Sequence, residues 1–219
     1  EIFINIDKKN EFIRLVDSKN LKKITKFIKK NEFKQFENKE SRYLGDIAIM
    51  RENYQFSKFE DIAQKQNENS LIIMADQITD QNNLGNIIRT SLLMGADGLV
   101  LSDYSTANIT STTSITSAGA VELLNIHIAK NLNRTIEKFK DYGYWIYTLD
   151  VNGKILDKNF KFDKKSILIL GNETKGARKK VLDKSDFILK ISQKNINGID
   201  SYNAANSLAI ATYHYKLYL

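Results

Sequence analysis

Three turns carry the residue types with which this chain could do chemistry. The first lies in DQNNLGNIIRTSLLMGADG (80–98) and presents the amide of Asn83 and the guanidinium of Arg89. The second lies in ILILGNETKGARKKVLDKSD (167–186), where four apolar residues run into Gly171, Asn172 and Glu173 and then Gly176. A glycine at the C-terminal end of a strand lets backbone approach a ligand closely, and open α/β sheets hold small molecules at that end. Lys175, Arg178, Lys179 and Lys180 form a basic cluster beside it. The third lies in ISQKNINGIDSYNAANSLAIATYHY (191–215), where Ser201 and Asn203 precede a helix rich in small residues: Ala204, Ala205, Ala209 and Ala211. Each turn taken alone also reads as ordinary structure. Asn83 sits where a helix N-cap would, with Leu84, Ile87, Ile88 and Leu92 as its buried stripe and Arg89 on the solvated face. The basic cluster reads equally as a solvated helix face, and Ser201 with Asn203 as capping residues.

Other chemistries are excluded by what the chain lacks. Among its 219 residues there is no cysteine, hence no disulfide, thiolate metal site or cysteine nucleophile. His127 and His214 are isolated, which argues against a zinc site or a histidine-based triad, so no metal is expected. Neither GxxxxGK[ST] nor GxGxxG occurs, so a P-loop is excluded and a dinucleotide-binding oxidoreductase is a weak reading. No apolar run approaches the ~20 residues of a membrane span. What remains is a soluble, cytoplasmic protein working through Asn, Arg, Ser, Glu or backbone groups. Its 33 Lys+Arg against 26 Asp+Glu give a net charge of +7. That balance favours polyanionic partners, nucleic acid first, although abundant Lys, Asn and Ile with no Pro also fit an AT-rich genome.

These turns need a scaffold, and the hydrophobic pattern supplies one. Up to Asn69 the chain is Lys/Glu/Phe-rich, with Gly45 its one glycine. IFINI (2–6) and DIAIM (46–50) read as strands, Asn20 to Lys30 as a helix and Phe59 to Ala63 as a short helix. The polar, unpatterned QKQNENS (64–70) reads as a linker between a domain at 1–63 and another at 71–219. Beyond it strands and helices alternate. Strands are expected at 70–75, 98–102, 125–128, 144–149, 166–170 and 187–191. Helices are expected at 84–94, near 114–119, at 132–141, around 177–182 and at 204–217. Short buried strands between helices predict an α/β domain with a mostly parallel sheet and helices on both faces.

Order and spacing make the three turns specific together. NLGNIIRTSLLMGADGLVL, TSAGAVELL, ILILGNETKG and SYNAANSLAIATY, in that order, resemble the SpoU/TrmH branch of the SPOUT RNA ribose 2′-O-methyltransferases over Ser70 to Leu219. The resemblance implies catalytic roles for Asn83, Arg89, Glu173, Ser201 and Asn203. It implies S-adenosylmethionine held by Leu170, Gly171, Asn172, Gly176, Ile191 and Tyr202, and RNA contacts from Lys175, Arg178, Lys179 and Lys180. Arg89 is expected to activate the ribose hydroxyl, directly or through the adjacent phosphate. The fold implied carries a C-terminal trefoil knot, and the assembly implied is a homodimer. Tyr202 stands where the family has Leu, Ser192 and Gln81 where Pro is common; neither of the Pro replacements removes a chemical group. The segment before the linker looks like part of a small RNA-binding α/β domain whose usual opening is missing, which points to an N-terminal truncation. The substrate expected is a guanosine of large-subunit ribosomal RNA. The alternatives are tRNA ribose methylation and a non-catalytic RNA-binding protein on the same fold.

Overall fold

Apolar runs of four to six residues, spaced by helical patterns, leave the chain after Ser70 little choice but to bury strands on both faces. The computed structural model describes residues 1–36, 45–50, 53–64, 68–194, 196–197 and 201–218. They fall into two compact units, 1–55 and 56–219.

The first unit is a three-stranded sheet with one helix. Its elements are β1 (Ile2–Asn5), α1 (Lys9–Ser18), β2 (Thr25–Ile28) and β3 (Ile47–Ile49). β1 is central, parallel to β2 and antiparallel to β3. Phe3, Ile4, Val16 and Phe33 are its buried apolar residues. The helix expected at 20–30 is corrected: Asn20 takes a left-handed φ of 54°, which ends helical backbone, and Thr25–Ile28 pair with β1 instead. The helix lies earlier, over Lys9–Ser18.

The second unit begins with α2 (Phe59–Ala63), β4 (Ser70–Ala75), α3 (Gln81–Leu93) and β5 (Gly98–Ser102). It continues through α4 (Ser111–Thr116), β6 (Ile126–Ala129), α5 (Leu132–Asp141), β7 (Trp145–Ile155) and β8 (Lys165–Leu170). It closes with α6 (Lys179–Leu182), β9 (Phe187–Lys190) and α7 (Ala204–Lys216). The six strands form one sheet in the order β6-β5-β4-β8-β7-β9, and every neighbouring pair is parallel. All six residues of β4 are buried, as a central parallel strand covered on both faces requires. Alternate residues Ile72, Met74, Val100, Ile146, Ile167 and Ile169 join α2, α5 and α6 through Phe59, Ile62, Ile136, Phe139 and Val181. The opposite face carries Leu71, Ile73, Leu99, Leu101 and Leu168, and α3 and α7 pack on each other with Ile87, Ile88, Leu208 and Ala211 buried.

The boundary between units precedes the expected linker, because α2 belongs to the larger core. Phe59 lies 4.7 Å from Phe139 between ring centroids, and Ile62 occupies the space above Gly98, where a Cβ would come within 2.7 Å of it. Residues 65–67 of the expected linker lie outside the described residues.

Candidate active site

The order of the sheet reverses direction at β4: the chain runs outward through β5 and β6, then returns to lay β8 and β7 on the other side. Ligands bind such sheets at the carboxyl ends of the strands beside that switch. A cavity of about 470 Å³ lies there, walled by the ends of β7, β8 and β9, by Asn83 of α3 and by Ser201–Ala204 leading into α7.

The turn after β8 forms its floor. Asn172 and Gly176 exchange two backbone hydrogen bonds, of 3.0 and 2.9 Å. Gly176 has φ +68°, open to glycine at little cost. Gly171 is required for a different reason. A Cβ there would stand 2.1 Å from the backbone nitrogen of Ala177, so two stretches of backbone touch where any side chain would separate them. Asn172 fastens the turn through both ends of its amide. Oδ1 accepts from the Thr174 and Lys175 backbone N–H groups at 3.1 Å each, and Nδ2 donates to the Gln77 carbonyl at 2.8 Å.

A polar chain crosses the cavity rim. Asn83 Nδ2 donates to Glu173 Oε1 at 3.0 Å, and Asn203 Nδ2 donates to Asn83 Oδ1 at 2.7 Å. Asn83 is not the N-cap that its position implies. Asp80 caps α3 by accepting from the Asn83 backbone N–H at 2.7 Å, which leaves the Asn83 amide free to bridge the other two turns. Asn203 does both jobs, since its Oδ1 caps α7 through the Ala205 N–H at 2.9 Å. Three neutral or acidic groups are thus fixed in one line, able to orient a hydroxyl by donating and accepting hydrogen bonds.

Of the residues singled out in the sequence, Leu170, Gly171, Asn172, Gly176, Ile191 and Tyr202 all line the cavity, as do Asn83, Glu173, Lys175, Ser201 and Asn203. Arg89 does not: it stands exposed on α3, outside the cavity. Lys179 and Lys180 are exposed in α6. Arg178 has a structural partner, a feature the sequence reading missed. Its guanidinium lies 2.6 Å from Asp76, whose carboxylate is fully buried at the end of β4, and its backbone N–H also donates to that carboxylate. The signal was a charged residue directly ending the apolar run SLIIMA. A buried carboxylate without its cation would be strongly unfavourable, so this pair pins the end of the β8–α6 turn to β4. Both histidines bond backbone carbonyls, His127 that of Ser57 and His214 that of Phe160, away from the cavity. No group of three or more His, Cys, Asp or Glu side chains that could hold a metal occurs among the described residues. None of the described helices is long and apolar enough to cross a membrane.

A six-stranded α/β sheet with a ligand cavity at its switch point, closed by three turns in hydrogen-bond contact, defines the class of protein. Residues 70–213 match the model of the SpoU rRNA Methylase family, and the chain belongs to that family. It is 34% identical over 216 residues to a Borreliella burgdorferi protein called an uncharacterized tRNA/rRNA methyltransferase, spanning 95% of this chain and 93% of that one. Among solved structures it resembles the AdoMet-bound rRNA methyltransferase of Sinorhizobium meliloti, with a TM-score of 0.73 and 20% identity, over 100% of this chain and 79% of that one. It also resembles the SpoU methyltransferase AviRb of Streptomyces viridochromogenes in complex with AdoMet, with a TM-score of 0.63 and 22% identity. That match covers 68% of this chain and 60% of AviRb.

Proposed function

We propose that the protein methylates a ribose 2′-hydroxyl in structured RNA, a guanosine of large-subunit ribosomal RNA, using S-adenosylmethionine in the cytoplasm. The observation that carries this reading is the convergence of all six expected cofactor positions on one cavity whose rim holds Asn83, Glu173 and Asn203. The cofactor supplies an electrophilic methyl group on a sulfonium. The turns of β8 and β9 hold the nucleoside mainly through backbone, where Gly171 keeps the wall thin. The Asn203–Asn83–Glu173 chain orients the ribose for in-line attack, and alignment of this kind contributes on the order of 7–11 kcal/mol in well-oriented cases. Arg89, exposed on α3, the helix whose first turn carries Asn83, holds the phosphate next to the reacting ribose; the hydroxyl proton passes through that phosphate to water as the oxygen takes the methyl group. A guanidinium keeps its proton in proteins and offers only N–H donors, so this side chain anchors negative charge rather than acting as a base. Lys175, Lys179 and Lys180 add phosphate contacts. In this reading the C-terminal part of the chain forms a trefoil knot that builds the cofactor pocket.

Calorimetric titration in EDTA should show S-adenosylmethionine binding that NAD does not displace; no heat at millimolar cofactor would remove the assignment. A ribose-methylation map from cells with and without the protein should lose one guanosine of the large-subunit RNA. Loss at a tRNA position would move the substrate to tRNA, and an unchanged map would favour a non-catalytic RNA-binding role.

We further expect a homodimer. Leu93 of α3, Ile115 of α4 and Tyr213 of α7 are exposed by 71%, 66% and 59% on helices that pack on one another, α3 on both α4 and α7, and a second copy would cover them. Sedimentation should give twice the chain mass at tens of micromolar, and a monomer there would contradict it.

A further inference from the structure

β7 is interrupted at the cavity. It pairs with β9 through Tyr147, Thr148 and Leu149 and again through Lys154 and Ile155, with Leu189 opposite both Leu149 and Lys154. Residues Asp150 to Gly153 therefore leave the ladder as a four-residue excursion. Gly153 seals it against β9, since a Cβ there would stand 2.7 Å from backbone atoms of Ile188 and Leu189. The excursion brings Asp150, Val151 and Asn152 into the cavity wall.

Asp150 is held there in one orientation. Its Oδ1 accepts from the Asn152 backbone N–H at 2.9 Å and from Asn152 Nδ2 at 3.1 Å. Its Oδ2 lies against Gly176, 3.0 Å from where a Cβ of that residue would be, and no described residue donates a hydrogen bond to it. A carboxylate with one oxygen fixed and the other open thus ends the first ladder of β7, beside the strand whose end carries the Gly171–Gly176 turn. In dinucleotide-binding sheets a glycine turn takes the backbone approach while a nearby carboxylate accepts from a ribose hydroxyl. The same two parts lie side by side here.

We propose that Asp150 is a specificity-determining residue that accepts hydrogen bonds from the ribose hydroxyls of the bound nucleoside cofactor. This rests on the cofactor reading above. The excursion of β7 then has a purpose: it delivers to the cavity a second carboxylate besides that of Glu173.

The test is calorimetric titration of the full chain and of Asp150→Asn, which keeps the shape and the Asn152 contacts. The ligands are S-adenosylmethionine, S-adenosylhomocysteine and the 2′-deoxy and 3′-deoxy forms of the latter. Asp150→Asn should weaken the first two equally, by about tenfold, as loss of a charge-assisted hydrogen bond does. The wild-type protein should lose a similar factor on at least one deoxy ligand, and the variant should no longer distinguish that ligand from its parent. Unchanged affinities in the variant would overturn the proposal. So would a loss confined to S-adenosylmethionine, which would assign the carboxylate to the sulfonium charge. A uniform loss that keeps the deoxy discrimination would reduce Asp150 to a loop-shaping residue. Failure of the wild-type chain to bind either natural ligand would instead remove the cofactor reading itself, and this proposal with it.

Discussion

Gly171→Ala should abolish useful cofactor binding, lowering affinity by roughly 100-fold or more, while the sheet stays folded. The added methyl would lie 2.1 Å from the Ala177 nitrogen and 2.2 Å from the Gly176 carbonyl carbon. Neither atom belongs to a flexible side chain, so the whole Gly171–Gly176 turn must move by about an ångström. A misplacement of that size costs on the order of 100-fold when geometry carries the function. The turn also holds Glu173, so the Asn83–Glu173 bond should be lost with it. Gly143→Ala is the control. That glycine has φ +80° but nothing within 4 Å of the new Cβ. It should lose about 1 kcal/mol of stability from left-handed strain and bind cofactor normally. Titration calorimetry and far-UV circular dichroism on the two variants separate the effects, and wild-type affinity in Gly171→Ala would show that the turn does not form the cofactor wall.

Arg89→Ala should produce the opposite division, near-normal cofactor affinity with turnover reduced at least ~100-fold. Arg89 is exposed and lines no part of the cavity, so its loss disturbs neither the fold nor the nucleoside wall. A contact made mainly as charge develops on the reacting oxygen is typically worth a few kcal/mol. Arg89→Lys should recover little, because a point charge does not reproduce the planar fork of the guanidinium. Methylation assays on the RNA substrate check both variants. Wild-type turnover in Arg89→Ala would make it a solvated helix residue and end the proposed mechanism.

The larger unit was legible because its signals are redundant. SLIIMA, GLVLS and SILIL are short apolar runs with helical patterns between them, and each became a buried parallel strand. The helix expected at 132–141 matches the observed Leu132–Asp141 at both ends, and Asn131 caps it. The cavity-lining residues of the three turns, from Asn83 to Asn203, were legible through motif order, which individual side chains do not carry. The errors came where local patterns compete. Leu21, Ile24, Phe27 and Ile28 share a helical face, yet three of the four residues in TKFI are β-branched or aromatic types that suit a strand, and pairing with β1 decided between them. Asp80 and Asn83 are both good caps three residues apart, and sequence alone does not say which side chain is needed elsewhere. The Asp76–Arg178 pair joins residues about a hundred positions apart, beyond any local pattern. The excursion in β7 was hidden for a related reason: its bulge is set by close packing on the backbone of β9, and a single glycine in VNGK gives little warning of it.

The polar chain across the rim has a temporal consequence. Its two bonds join residues 90 and 120 positions apart, Asn83 to Glu173 and Asn203 to Asn83. A chain made from its N-terminus can order β4, α3 and β5 early, but the Asn83 amide gains its second partner only after residue 203 has left the ribosome. Closing loops of that length costs chain entropy that only non-local contacts repay, so the rim bonds belong to the long-range contacts of the fold rather than to a local nucleus. A chain that stops after β9 holds all six strands yet lacks Asn203, so the sheet can be complete while the rim is still open.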